Sequence, residues 1–388
     1  MINFFTRHFP PPTHGGGHQF FKSLIDNIDV PLTLYTHKEA FEPDNPLVKF
    51  FSLSFVPRSR RPSSGVKLYI SLFWSLVYFH RVKYNLLKNG IHFGQIWPYG
   101  LVGLLLSKLS GVKYTIFILG EELSSIVYGN GIKKRIVKYF YKLIISNSSH
   151  VFAYSSFVKK NVEILFQKSK INKLSVFSIG IDLELFTKKN KAIHKNFLFS
   201  KDTITLFSIS RHIERKGYLE LLEGMKILEN TTNNWHLYIG GEGPLTNIIN
   251  QRINELGLSQ KITMLGRLNE RELHGCYLNS DIFLLSNLML SNGDADGCPI
   301  VFLEAMSYGI PCIGGDVVGT HDAIINGETG FVVDSKSPED ISNKIEILIN
   351  HPHKRAKMGK LSIDHIKNNY SWANRLTHFK RINDEISN

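Results

Sequence analysis

Cysteine is scarce in this chain of 388 residues: Cys276, Cys298 and Cys312 are spaced 22 and 14 apart, with no Cys-x-x-Cys pair. This argues against a disulfide framework or a zinc knuckle and fits a reducing compartment. Long apolar runs are also missing. The longest, Leu68–Phe79, has 12 residues and includes Ser71 and Ser75, well short of the ~20 that a spanning helix needs, so a core or interfacial helix is expected there. The N-terminus, Met1-Ile2-Asn3-Phe4-Phe5-Thr6-Arg7-His8 followed by Pro10-Pro11-Pro12, lacks the apolar core of a secretory signal. The expectation is a cytoplasmic protein. No internal repeat or low-complexity tract is visible, and 43% hydrophobic with 20% charged residues is a globular composition.

Acidic residues are short in one half only. Residues 1–195 hold 27 Lys+Arg against 10 Asp+Glu, a net of +17, which leaves 46−27=19 against 33−10=23, a net of −4, for the remainder. Such asymmetry points the first half toward a polyanion: nucleic acid, an anionic membrane surface or an acidic acceptor. No recognisable nucleic-acid module accompanies it, so no nucleic-acid partner is expected. The segment Gly131–Ser146 interleaves Lys133, Lys134, Arg135, Lys138 and Lys142 with Ile132, Ile136, Tyr139, Phe140 and Tyr141. That pattern reads as an interfacial helix on anionic lipid, or as a surface helix packing an ordinary core stripe; Arg58, Arg60 and Arg61 would add to the same positive face.

At roughly 150 residues per domain the length points to two domains. Short apolar runs alternate with helical patterns: Gly94–Trp97, Lys113–Leu119, His150–Tyr154 and Leu174–Ile179, then Thr203–Ile209, Trp235–Ile239, Lys261–Leu265, Asp281–Leu285, Pro311–Gly314 and Gly330–Val333. The alternation predicts an α/β chain of two doubly wound, Rossmann-like domains with parallel sheets. The Lys- and Asn-rich stretch Thr187–Asp202 is the expected linker. The boundaries are 1–188 and 189–371, with a helix at 372–388 packing back on the first domain.

Doubly wound sheets bind ligands beyond the carboxyl ends of their strands, so the informative loops follow strands. Arg211 and Lys216 flank the loop after Thr203–Ile209; two cations there can hold a diphosphate, or merely be solvated. Gly240-Gly241 follows the next strand, and Gly266-Arg267-Leu268 the one after. His14-Gly15-Gly16-Gly17-His18 precedes a helix expected near Gln19. The fullest segment is Asn292-Gly293-Asp294-Ala295-Asp296-Gly297-Cys298-Pro299-Ile300, leading to Glu304. With Pro299 as first helical residue, Gly297 and Cys298 offer free N–H groups at a positive helix end, bracketed by carboxylates suited to sugar hydroxyls. Asp296 as a simple helix cap is the alternative, and Asp294-Ala295-Asp296 also spells a weak metal-type motif. No metal is expected.

Taken in order, these segments resemble the retaining glycosyltransferases of family 4 (glycosyl transferases group 1), whose GT-B fold sets two Rossmann-like domains facing a central cleft. The family's glutamate, seven residues, glutamate signature falls on Asp296 and Glu304. The resemblance implies that Glu304 holds the donor ribose and that Asp296 contacts the transferred sugar. It further implies that Arg211 and Lys216 neutralise the leaving diphosphate, that Arg267 and Leu268 border the base, and that Gly16, Gly17, Gly241, Gly297, Cys298, Pro299 and Ile300 line the donor. Glu122 follows Gly120 where a catalytic contact is expected, while Leu119 replaces the histidine that many relatives carry. The implied donor is a nucleoside-diphosphate sugar with no cofactor. The implied acceptor is a saccharide, lipid-linked, in cell-surface polysaccharide synthesis (O-antigen, capsule or exopolysaccharide) at the inner face of the cytoplasmic membrane. A binding-only relative and a nucleotide-sugar epimerase of the same fold are the alternatives.

Overall fold

The structure, a computed structural model, describes residues 1–10, 16–37, 39–54, 56, 65–120, 123, 126–127, 131–166, 173–182, 203–291, 293–295 and 299–387. Glu122, Asp296, Gly297 and Cys298 lie outside them, as do His14, Gly15, Arg58, Arg60, Arg61 and the 187–202 linker segment. The chain divides into two compact units, Met1–Gly180 with Trp372–Asn388, and Ile181–Ser371.

In the first unit β1 (Ile2–Phe5), α1 (Gly16–Asn27), β2 (Leu32–His37) and β3 (Val48–Leu53) are followed by α2 (Gly65–Arg81), α3 (Lys83–Asn89), β4 (Ile91–Phe93) and α4 (Gly100–Ser110). Then come β5 (Tyr114–Ile118), α5 (Ile132–Asn147), β6 (His150–Ala153), α6 (Ser156–Leu165) and β7 (Leu174–Val176). The strands form one sheet in the order β3-β2-β1-β4-β5-β6-β7, parallel throughout. Strands β1, β2 and β5 are buried along their whole length, as central parallel strands covered on both faces must be.

Four strands, β1 to β4, are not marked by the apolar runs of the sequence. Ile2–Phe5, which the sequence marks only as lacking a secretory signal, is the strand from which the sheet grows in both directions. The run Gly94–Trp97 is not a strand: β4 ends at Phe93, and the chain then turns toward α4. Helix α1 begins at Gly16 rather than near Gln19. Helix α2 extends the Leu68–Phe79 run at both ends.

The core of this unit is aromatic. Phe117 stacks on Phe152 at 4.5 Å and meets Phe4 at 5.4 Å, and Phe379 closes on Phe152 at 5.6 Å. Phe379 belongs to the last helix of the chain, whose Trp372 donates its indole N–H to Ser23 Oγ at 3.0 Å. His92 is buried beside it. It donates Nε2–H to Asn383 Oδ1 at 3.1 Å and accepts at Nδ1 from Thr115 Oγ1 at 2.6 Å, and burial pushes its pKa down to about 4.

In the second unit β8 (Ile204–Ile209), α7 (Tyr218–Thr231), β9 (Trp235–Gly240), α8 (Thr246–Glu255) and β10 (Ile262–Gly266) make the first half. The second half is α9 (Glu270–Leu278), β11 (Ile282–Leu285), α10 (Ile300–Ser307), β12 (Cys312–Gly315), α11 (Val318–Ala323), β13 (Gly330–Val333), α12 (Pro338–Asn350) and α13 (Pro352–Asn369); α14 (Trp372–Ser387) belongs to the first unit. The parallel order is β10-β9-β8-β11-β12-β13. Helix starts are capped as their sequences dictate: Asn269 and Glu272 form a reciprocal capping box, and Ser337 accepts from Asp340 N with Pro338 following.

Candidate active site

The order of the second sheet reverses between β8 and β11. Loops leaving the carboxyl ends of these two strands therefore diverge and open the crevice where doubly wound sheets bind ligands. The loop after β8 carries Arg211 and Lys216; the loop after β11 runs to Pro299. They are seamed together: Leu288 donates its N–H to Arg215 O at 2.8 Å, and the Arg215 guanidinium meets Asp294 Oδ2 at 3.1 Å. Gly217 lies at φ +64°, and a Cβ there would stand 1.7 Å from Ser286 O, so only glycine lets the two backbones pass this closely.

Arg211 is exposed at the crevice, and Lys216 ends a single 3₁₀ turn, Glu214–Lys216. Beside them β9 ends in Gly240-Gly241. Gly241, at φ +103°, donates to Gly266 O at 2.7 Å, and a Cβ on it would stand 1.9 Å from Ser210 O. Arg267 is exposed just past β10, while Leu268 lies against Gly240. The fold thus gathers Arg211, Lys216, Gly241, Arg267 and Leu268 at three adjacent strand ends.

Pro299 is not the first helical residue. Its ψ of 107° is extended, making it the cap, and α10 begins at Ile300. Asp294 is held in the ion pair with Arg215, so one carboxylate of the Asp294-Ala295-Asp296 triplet is already committed to a cation. Glu304, in the second turn of α10, is half-buried and accepts from Tyr277 OH at 2.8 Å. Burial raises its pKa, and the tyrosine hydrogen bond opposes that rise. Tyr277 stacks on Tyr308 at 5.3 Å, and the Tyr308 hydroxyl is hydrogen-bonded to His274 Nδ1.

The sequence reading did not single out Tyr277, since a tyrosine in an amphipathic helix looks like ordinary core. It also passed over His212, buried inside the Arg211–Lys216 loop. His212 is bonded to Thr246 Oγ1 at 2.9 Å, and burial lowers its pKa, so it adds no positive charge to the loop at neutral pH. Asn287, fully buried just after β11, gives Nδ2–H to Thr320 Oγ1 at 3.0 Å and accepts from Gly315 N at 3.0 Å. A satisfied buried network of this kind rigidifies the loop base. Gly16 and Gly17 belong to the first unit, in the first turn of α1. A Cβ on Gly17 would lie 2.7 Å from Leu119 Cδ1, so the leucine standing in the histidine position packs against this helix start.

Residues 189–364 match the model of a known family, Glycosyl transferases group 1. Among known proteins, the chain is 28% identical to the GDP-mannose-dependent monoacylated alpha-(1-6)-phosphatidylinositol monomannoside mannosyltransferase of Corynebacterium glutamicum, over 50% of this chain and 51% of that protein. The chain therefore matches about half the length of that mannosyltransferase. It is 24% identical to the capsular polysaccharide biosynthesis glycosyltransferase CapM of Staphylococcus aureus, over 89% of this chain and 87% of that protein. A solved structure, a glycosyltransferase from Rickettsia africae, shares the fold at TM-score 0.75 and 17% identity, covering 99% of this chain and 98% of that one. The second unit is thus similar to the glycosyl transferases group 1 family, and the two parallel-sheet, Rossmann-like units share the fold of solved GT-B glycosyltransferases.

Proposed function

We propose that the protein is a metal-independent, retaining glycosyltransferase of family 4. It moves a sugar from a nucleoside-diphosphate sugar to a saccharide acceptor, lipid-linked, in cell-surface polysaccharide synthesis, at the inner face of the cytoplasmic membrane. The observation that carries the reading is the seam between the loops after β8 and β11, which keeps two cations, Arg211 and Lys216, at the point where the sheet order reverses. The capsular and mannosyltransferase relatives support the saccharide acceptor and its lipid linkage. The Arg215–Asp294 ion pair supports diphosphate neutralisation by side chains, because it takes a carboxylate away from metal binding.

In this mechanism Glu304 accepts the ribose hydroxyls, and Arg211 and Lys216 take up charge as the C1–O(phosphate) bond breaks. Asp296 orients the transferred sugar, and the backbone around Arg267 and Leu268 borders the base. Pro299 and Ile300 complete the donor site within the second unit, and the resemblance assigns further donor contacts to Gly16, Gly17, Gly297 and Cys298 and a catalytic role to Glu122. The acceptor oxygen bonds to C1 on the face the diphosphate leaves, and its proton passes to the departing phosphate oxygen.

Saturation-transfer NMR with UDP, GDP and ADP is the test. Selective binding of one of them, weakened by Glu304→Ala, is expected, and Lys216→Ala should lower turnover about a hundredfold or more in a folded protein. A folded wild-type protein that binds none of the three, or a Lys216→Ala variant of normal turnover, sinks the reading.

A further inference from the structure

Helix α2 buries Phe79 in the core but turns other large apolar side chains outward. The residues it buries include Ser71 and Ser75, with Ser71 Oγ bonded to Tyr99 OH at 2.7 Å and Ser75 Oγ donating to Ser71 O at 2.7 Å. The residues it exposes are Ile70 at 51%, Phe73 at 61% and Trp74 at 47%. A surface helix places its apolar stripe on the core and its polar residues outward; here three large apolar side chains, one turn apart, face away from the core.

The neighbouring helices continue the pattern. Helix α4 packs on α2, and α5 packs on α4. Helix α4 exposes Leu105 and Leu109, and α5 exposes Ile132, Ile136 and Tyr139 at intervals of four and three residues. Singly exposed apolar residues are ordinary, whereas a run of them across three packed helices marks an interaction surface.

The charge around these residues chooses the partner. No Asp or Glu occurs between Asn45 and Gly120, nor between Leu123 and Val162, so α2, α4 and α5 carry none. Arg81, Lys108 and Arg135 are exposed among the apolar stripes. A second copy of this face would set cations against cations, which is disfavoured. An anionic bilayer offers both an apolar interior and negative headgroups at once, and Trp and Tyr favour the level between them. None of the described helices is long and apolar enough to cross a membrane, so this surface would lie on the bilayer.

We propose that the joint face of α2, α4 and α5 docks on an anionic lipid bilayer, with Phe73, Trp74 and Ile132 entering the headgroup boundary and Arg81, Lys108 and Arg135 meeting lipid phosphates. This rests on the reading of the basic first unit as membrane-facing. It makes α2 and α4, rather than the basic α5 alone, part of the anchor.

The experiment is co-sedimentation of the full chain with phosphatidylcholine vesicles and with vesicles containing about one-third phosphatidylglycerol. The expected result is binding to the mixed vesicles at low salt, with a blue shift of tryptophan emission as Trp74 leaves water. The double variant Phe73→Ser/Trp74→Ser should bind about tenfold or more weakly without loss of thermal stability, because both rings lie outside the core. Arg135→Glu should weaken binding to the phosphatidylglycerol vesicles. Wild-type protein that stays in the supernatant overturns the proposal, as does a double variant that binds like wild type. A wild-type dimer by light scattering that becomes a monomer in the double variant, with vesicle binding unchanged, assigns the face to self-association and also overturns it. Binding of UDP, GDP or ADP, read separately on the same samples, reports on the transferase reading alone.

Discussion

The two units are built on one architecture and treat their outer surfaces differently. In the Met1–Gly180 unit, exposed large apolar residues gather on the packed helices α2, α4 and α5, from which acidic residues are absent. In the Ile181–Ser371 unit they are scattered, as Ile248, Met289, Ile325 and Ile363, while charged and polar groups are tied into the loops around the sheet's reversal point. The first unit leaves its unusual groups facing outward; the second ties its own to one another. Parallel sheets covered by helices leave both options open, because only the outer helix faces and the carboxyl-end loops are free of packing duty.

The contrast can be tested from its strongest point downward. Gly217→Ala in the second unit drives a Cβ into Ser286 O and forces a left-handed backbone on alanine. A loss of roughly 4 kcal/mol or more, the sum of overpacking and backbone strain, is expected in urea unfolding. A wild-type midpoint would show that the seam is loose.

In the first unit, the buried His92 sets an acid sensitivity. Its folded pKa of about 4 lies below the ordinary 6.5, so its contribution to stability is complete above about pH 6.5 and is lost as pH falls toward 4. That amounts to about 3 kcal/mol over the window. His92→Gln should flatten this part of the curve of urea midpoint against pH; an unchanged slope would show that the buried His92 contact with α14 is not the acid-labile element.

Tyr277→Phe removes the hydrogen bond that opposes the burial-driven rise in the Glu304 pKa. The expected cost is about 1–3 kcal/mol of stability for the stranded carboxyl. Nucleotide affinity, measured by titration across pH, should fall at a higher pH than in wild type, because the carboxyl takes up its proton sooner. Identical pH profiles would remove Tyr277 from the site.

Arg215→Gln is expected to show the smallest effect on stability, below about 1 kcal/mol, since Asp294 is half-exposed and the pair is screened. Its effect should appear as weakened nucleotide affinity through a loosened Arg211–Lys216 loop. Unchanged affinity would mean that the backbone bonds of the seam hold the loop without this ion pair.

Much of the architecture was legible in the residues. Gly330–Val333 is a strand over the span its apolar run marks, and the basic helix expected over 131–146 is α5. Other features were not. The strand β1 is four residues at a terminus, too short for a period to declare itself, and β3 is half-exposed at the sheet edge, where the apolar signal weakens.

What the sequence determined by itself is the alternation of buried strands and amphipathic helices, the glycine turns at strand ends and the one-sided charge of the first half, because each is written in local residue order. What the tertiary structure alone decided is which side of a mostly apolar helix such as α2 faces water, which glycine abuts which carbonyl, and that Tyr277 meets Glu304. Those depend on residues far apart in the chain, as Gly217 is from Ser286, and only the packing of the finished sheets brings them into register.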